Sequence, residues 1–129
     1  MTFCLGVWNS PTTVSNEEAA GRYLVLSDER SAPSVFDGRV YAFYYHLTRV
    51  YPEIELVPES EIEACPWAGA IVMAGGHVIV PILPEKSGEV VPVVVELAEQ
   101  YGLTCFDPQA GKVYLPPDLR PRQADTFSA

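Results

Sequence analysis

Ala70-Ile71-Val72-Met73-Ala74-Gly75-Gly76-His77-Val78-Ile79-Val80-Pro81-Ile82-Leu83 carries the strongest local signal in the chain. Two runs rich in β-branched residues flank a Gly-Gly pair, the pattern of a β-hairpin closed by a tight turn. Pro81 has no N–H to give to a ladder, so it marks an edge, a bulge or the final part of its strand.

Towards the N-terminus, residues 52–66 form a long connection in which Pro52, Pro58 and Pro66 argue against a continuous helix. Before it, Phe36, Val40, Phe43, Leu47 and Val50 recur at spacings of 4, 3, 4 and 3. That spacing predicts an amphipathic helix with one apolar stripe, with Ser34 and Asp37 as an N-cap pair and Pro52 as its stop. Ser15-Asn16-Glu17-Glu18 has the form of a capping box and predicts a shorter helix over roughly residues 16–26, burying Ala19, Ala20, Tyr23 and Leu26 or a neighbour. Phe3 to Trp8 reads as the first strand, halted by Asn9-Ser10-Pro11.

Towards the C-terminus a third helix is expected over Gly88 to Tyr101, burying Val90, Val91, Val94, Leu97, Ala98 and Tyr101, with Gly102 just past its end. Leu103–Phe106 and Lys112–Leu115 are strands around the turn Asp107-Pro108-Gln109-Ala110-Gly111. Residues 1–116 thus make a single domain, and 117–129 a polar tail expected to fray.

The element order is β, α, α, β, β, α, β, β. Without one helix and the terminal strand it is βαββαβ, a ferredoxin-like two-layer α+β sandwich with its helices on one face of the sheet. The extra helix and a C-terminal hairpin strand complete it. The expected strand order is 4-1-3-2, with strands 1 and 3 parallel at the centre. This would gather Trp8, Asn9 and Trp67 at one end of the sheet, and His77 and Asp107 at the other.

With 129 residues, 48% of them hydrophobic, the chain has enough apolar surface to build its own core. It contains no apolar run of the ~18 residues that a membrane helix needs. Its start lacks the basic and apolar regions of a signal peptide. Cys4, Cys65 and Cys105 are odd in number and have no metal-like spacing, which points to reduced thiols in a cytoplasmic setting. Seventeen acidic against eight basic side chains give a formal charge of −9. That charge disfavours nucleic acid and anionic membranes as partners and admits a basic protein.

No catalytic constellation emerges. His77 and Asp107 have the chemistry for proton transfer, but a hairpin histidine and a turn-starting aspartate are the plainer reading. Cys105 lies in an apolar strand, where a thiol is inert, and Cys65 has nothing nearby in sequence to activate it. His46 borders the apolar stripe of its helix as a half-buried, hydrogen-bonded residue. The glutamates lack an EF-hand loop, and no glycine loop leads from a strand into a helix to cradle phosphate, so neither a metal nor a cofactor is expected.

Two surface features carry the functional reading. Tyr41 and Tyr45 stand opposite the apolar stripe, either half-covered by a loop or open to a partner. Glu53, Glu55, Glu59, Glu61 and Glu63 are concentrated in the connection, either as a solvated loop or as an acidic docking surface for a basic protein. The alternative is a small-molecule-binding or enzymatic domain, often dimeric in this fold, with a pocket framed by Trp8, Asn9 and Trp67. A regulatory module acting through a homo-oligomer is a third reading.

The run Leu97-Ala98-Glu99-Gln100-Tyr101-Gly102-Leu103-Thr104-Cys105-Phe106-Asp107-Pro108-Gln109, with Val113-Tyr114-Leu115-Pro116, resembles the C-terminal part of small uncharacterised bacterial proteins. Val7-Trp8-Asn9-Ser10-Pro11 is similar in style, and the likeness covers about a third of the chain. It implies a fold and brings no catalytic residues. Such proteins resemble small acidic immunity proteins that neutralise bacterial toxins, which implies a basic toxin as the partner.

Overall fold

The computed structural model describes residues 3–28 and 35–120. It is a mixed α+β structure built on one five-stranded antiparallel sheet. The strands are β1 (Phe3–Trp8), β2 (Val72–Met73), β3 (His77–Ile82), β4 (Thr104–Asp107) and β5 (Lys112–Tyr114). The helices are α1 (Asn16–Leu26), α2 (Gly38–Val50) and α3 (Ser87–Gln100). The connection after α2 holds two 3-10 turns, Ile54–Leu56 and Glu59–Ala64.

The Gly-Gly hairpin forms as its composition demands. Gly75 takes a positive φ of 73° between β2 and β3, a conformation that costs glycine little. The sheet order is β2-β3-β1-β4-β5, so the expected neighbours are in place. The expected direction is not: β1 and β3 run antiparallel, pairing Phe3 with Ile82 and Trp8 with His77. The chain crosses from β1 through α2 into β2, and the tight hairpin then returns β3 between them in the opposite sense.

Capping chemistry fixes the helices. Ser15 accepts from the Glu18 N–H at 3.0 Å, and the Glu18 carboxylate accepts from the Ser15 N–H at 2.8 Å, a complete capping box. Asp37 is itself the N-cap of α2, accepting from the N–H groups of Arg39 and Val40. Ser34 lies outside the described residues. Val40, Phe43 and Leu47 bury the predicted stripe, but Phe36 precedes the helix and is exposed, as is Val50 at its end. In α3, Pro92 sits in the second turn with its ring outward, where it forgoes one intrahelical hydrogen bond.

The layers differ from the two-layer expectation. Leu5, Val7, Val78, Val80, Ile82 and Cys105 point to one face, where they pack with Val40, Phe43 and Leu47 of α2 and Val90, Val94, Leu97 and Ala98 of α3. Trp8 and Phe106, one residue out of phase with Val7 and Cys105, point to the other face. There they meet Ala19, Ala20, Tyr23 and Leu26 of α1. The sheet is therefore covered on both faces. Sequence spacing showed that α1 has an apolar side, but not which face of the sheet would receive it.

Both edges are short and partly occupied. Asn16 Oδ1 accepts from the Val113 N–H of β5 at 2.8 Å, and Glu53 Oε1 accepts from the Ile71 N–H beside β2 at 3.1 Å. These side chains take up backbone donors that an open edge would offer to another strand. Residues 117–120, expected to begin the tail, form a 3-10 turn (Pro117–Leu119) that is tied down: Thr13 Oγ1 donates to the Leu119 carbonyl, and Arg120 Nε donates to that of Leu115. Residues 121–129 lie outside the described residues.

Candidate functional site

The antiparallel pairing of β1 and β3 separates the residues proposed to frame a ligand pocket. Trp8 lies level with His77, whereas Trp67 bridges to Ile82, which pairs with Phe3. Five residue steps at about 3.3 Å place the two tryptophans about 16 Å apart along the sheet. None of the described pockets is lined by both. Trp67 is 1% exposed, and its Nε1–H donates to the carbonyls of Tyr51 and Pro52 at 3.1 and 3.0 Å. Its indole therefore fastens the connection beneath the end of α2.

His77 and Asp107 are separated as well. His77 shares its row with Trp8 and Thr104, while Asp107 lies three residues further along β4. Burial holds the His77 imidazole below its ordinary value. Asp107 is occupied in a turn, its Oδ1 accepting from the N–H groups of Gln109 and Ala110. The Thr104 hydroxyl, wholly buried, has no hydrogen-bond partner among the described residues.

Two of the thiols, those of Cys4 and Cys105, are in surroundings unsuited to nucleophilic work. All three cysteines are free. Burial pushes the Cys105 thiol far up and that of Cys4 up as well, so the reactive thiolate is disfavoured at both. His46 Nδ1 lies 3.0 Å from the Tyr101 hydroxyl, a structural link between α2 and α3. Among the described residues no group of three or more His, Cys, Asp or Glu is placed to hold a metal ion. No helix among them is long and apolar enough to cross a membrane.

The acidic connection divides into two kinds of glutamate. Glu53 is partly buried and committed: it accepts from the Tyr44 hydroxyl at 2.6 Å and from the Ile71 N–H. The Tyr44 phenol is pushed up to about 12, first by this hydrogen bond and then by burial, with Glu53, Glu55 and Tyr41 adding to it. Tyr44 thus draws the connection against α2 through Glu53. Glu55, Glu59, Glu61 and Glu63 are exposed, and none has a cationic partner among the described residues. No Lys or Arg occurs between residues 50 and 85.

Tyr41 and Tyr45 are 48% and 54% exposed, with Phe36 tilted against Tyr41 at 6.2 Å and the Arg49 guanidinium 5.6 Å from the Tyr45 ring centroid. The C-terminal end of α2 adds a groove that sequence patterning did not foresee. It has a volume of about 210 Å³ and includes Val50, Leu56, Val57, Pro58, Glu61 and Ala64 in its lining. The signal for it was present in the prolines, which keep the connection from continuing the helix.

A second cleft of about 400 Å³ opens at the end of β1, lined by Trp8, Asn9, Arg22, Phe36 and Asp37 among others. Asn9 Nδ2 donates to Asp37 Oδ2 at 2.7 Å, and this bond, opposed by burial and helped by the Arg39 and Val40 N–H groups, holds the Asp37 carboxyl below its ordinary value.

Compared with known proteins, the chain matches no family model, no curated protein and no solved structure. The functional reading therefore rests on the geometry above.

Proposed function

We propose that this chain is a non-catalytic protein-binding domain that docks a basic partner on Glu55, Glu59, Glu61 and Glu63 and on the adjoining Tyr41/Tyr45 face. An immunity-type inhibitor of a basic bacterial toxin is the form of this role that its size and charge suit best. One observation carries the reading: four exposed carboxylates with no cationic partner among the described residues follow one another along a connection that contains no Lys or Arg, and the helix before it carries two exposed tyrosines. Such a surface steers a basic protein and repels acidic ones, and tyrosine is enriched where partners bury surface. We further read β1-α2-β2-β3-α3-β4 as a ferredoxin-like core to which α1 and β5 are added; the strand order and the two helices sharing one face support this.

The test is capture of partners from the source cell's lysate at low and moderate salt. Wild type is compared with a variant carrying Gln at Glu55, Glu59, Glu61 and Glu63. Glu53 is left intact because it holds Tyr44 and Ile71. The expected result is a stoichiometric basic protein retained by wild type, released as salt rises, and lost with the variant at unchanged thermal midpoint. Equal capture by both forms would sink the acidic docking reading. A small-molecule role keeps one specific support, the cleft at Trp8 and Asn9, and capture of nothing by either form would favour it.

A further inference from the structure

We infer that the groove at the end of α2 is an anchor pocket for one bulky apolar side chain of the partner, carried on a segment flanked by Lys or Arg. This rests on the docking reading above and names what the partner inserts.

The groove follows from the local chain. Pro52 halts α2, and Pro58 prevents the connection from resuming as a helix, so the chain turns away in two 3-10 segments. Trp67 pins the helix end through the Tyr51 and Pro52 carbonyls, which fixes the floor. The walls are then apolar and wet: Leu56 is 73% exposed and Val50 47%. Apolar side chains at a concave site lose water when a partner side chain enters, which is the usual anatomy of a binding hot spot. A volume of about 210 Å³ suits a single side chain rather than the face of a helix.

Charge selects the occupant. Glu61 stands in the lining itself, and Glu55, Glu59 and Glu63 alternate along the same connection. A second copy of this chain also carries −9 and would bring the same carboxylates face to face. An apolar side chain without basic neighbours would gain the pocket but forgo the rim. The complement is therefore an apolar anchor between cationic residues.

Selection of a phage-displayed random dodecapeptide library on the intact protein tests this, followed by anisotropy titrations of the enriched peptides. The enriched peptides should share one large apolar residue flanked by Lys or Arg. Ala64→Trp, at an exposed position lining the groove, should fill it and weaken binding at least about tenfold, or ~1.4 kcal/mol. Leu56→Ser is the second variant should Ala64→Trp fail to fold. A triple Glu55/Glu59/Glu63→Gln variant should weaken binding and flatten its salt dependence. An empty selection, peptides lacking basic residues, or peptides indifferent to the rim variant would overturn the inference. Binding that survives a folded Ala64→Trp or Leu56→Ser but falls in the triple variant would also overturn the anchor, while leaving the acidic docking surface standing.

Discussion

The side-chain amide of Gln109 pairs with Cys4 as a strand would: its Oε1 accepts from the Cys4 N–H at 2.9 Å, and its Nε2 donates to the Cys4 carbonyl at 2.9 Å. β4 pairs with β1 only over Gly6, Val7 and Trp8, and Pro108 then removes the next backbone donor. Asp107 holds the substitute in place, its Oδ1 accepting from Gln109 Nε2 at 2.7 Å and from the Gln109 N–H at 2.9 Å. The Asp-Pro-Gln run is thus a way of ending β4 without leaving that part of β1 bare.

Gln109→Ala removes both bonds to Cys4. Net hydrogen-bond contributions of about 0.5–1.5 kcal/mol each, taken near the lower end because these bonds are exposed, give an expected loss of ~1–2 kcal/mol in urea unfolding. Gln109→Glu keeps an acceptor for Cys4 but sets a carboxylate against Asp107, so it should be the more damaging of the two. An unchanged midpoint in both variants would show that the side-chain pairing contributes nothing.

Gly6 lies beneath α1, and a β-carbon there would stand 2.7 Å from Tyr23 Cδ1, 3.1 Å from its Cε1 and 3.2 Å from Trp8 Cζ3. Gly6→Ala should therefore push the Tyr23 ring outward and loosen α1. The expected cost is about 1–3 kcal/mol, the usual range for overpacking. Faster amide hydrogen exchange in α1, with α2 and α3 unaffected, is the expected pattern. A wild-type midpoint and exchange pattern would mean that α1 does not pack on this face as described.

Local chemistry made much of the fold legible. Ser15 and Glu18 announced α1, the stripe of Val40, Phe43 and Leu47 announced α2, and Gly75 announced the hairpin. Strand direction and helix side were not legible, because both depend on contacts far apart in sequence. The antiparallel pairing of Trp8 with His77 separates two tryptophans that were expected to meet. Alternation alone does not say whether Val7 or Trp8 faces the larger core. The candidate surface shows the same limit. The exposure of Tyr41 and Tyr45 and the commitment of Glu53 to Tyr44 depend on where the connection packs, and five equivalent letters in a sequence do not separate one structural glutamate from four exposed ones.

His77 gives the fold a dependence on acid that its position explains. It is 4% exposed, in the row it shares with Trp8. Burial lowers its pKa below 6.5, a hydrogen bond with the Leu26 backbone opposes that shift, and Arg22 adds to it. The unfolded chain therefore takes up a proton at this site before the folded one does. The contribution of neutral His77 is complete above about pH 6.5 and is lost as pH falls through its folded value. Asp37, held below its ordinary value of 3.8, has its effect in more acidic solution, so the two are separable. The thermal midpoint should decline as pH falls from about 6.5 into mildly acidic solution. His77→Gln, which cannot take up the proton, should flatten the decline over that interval even if its midpoint at neutral pH is lower. The same slope in wild type and variant would assign the decline to other groups.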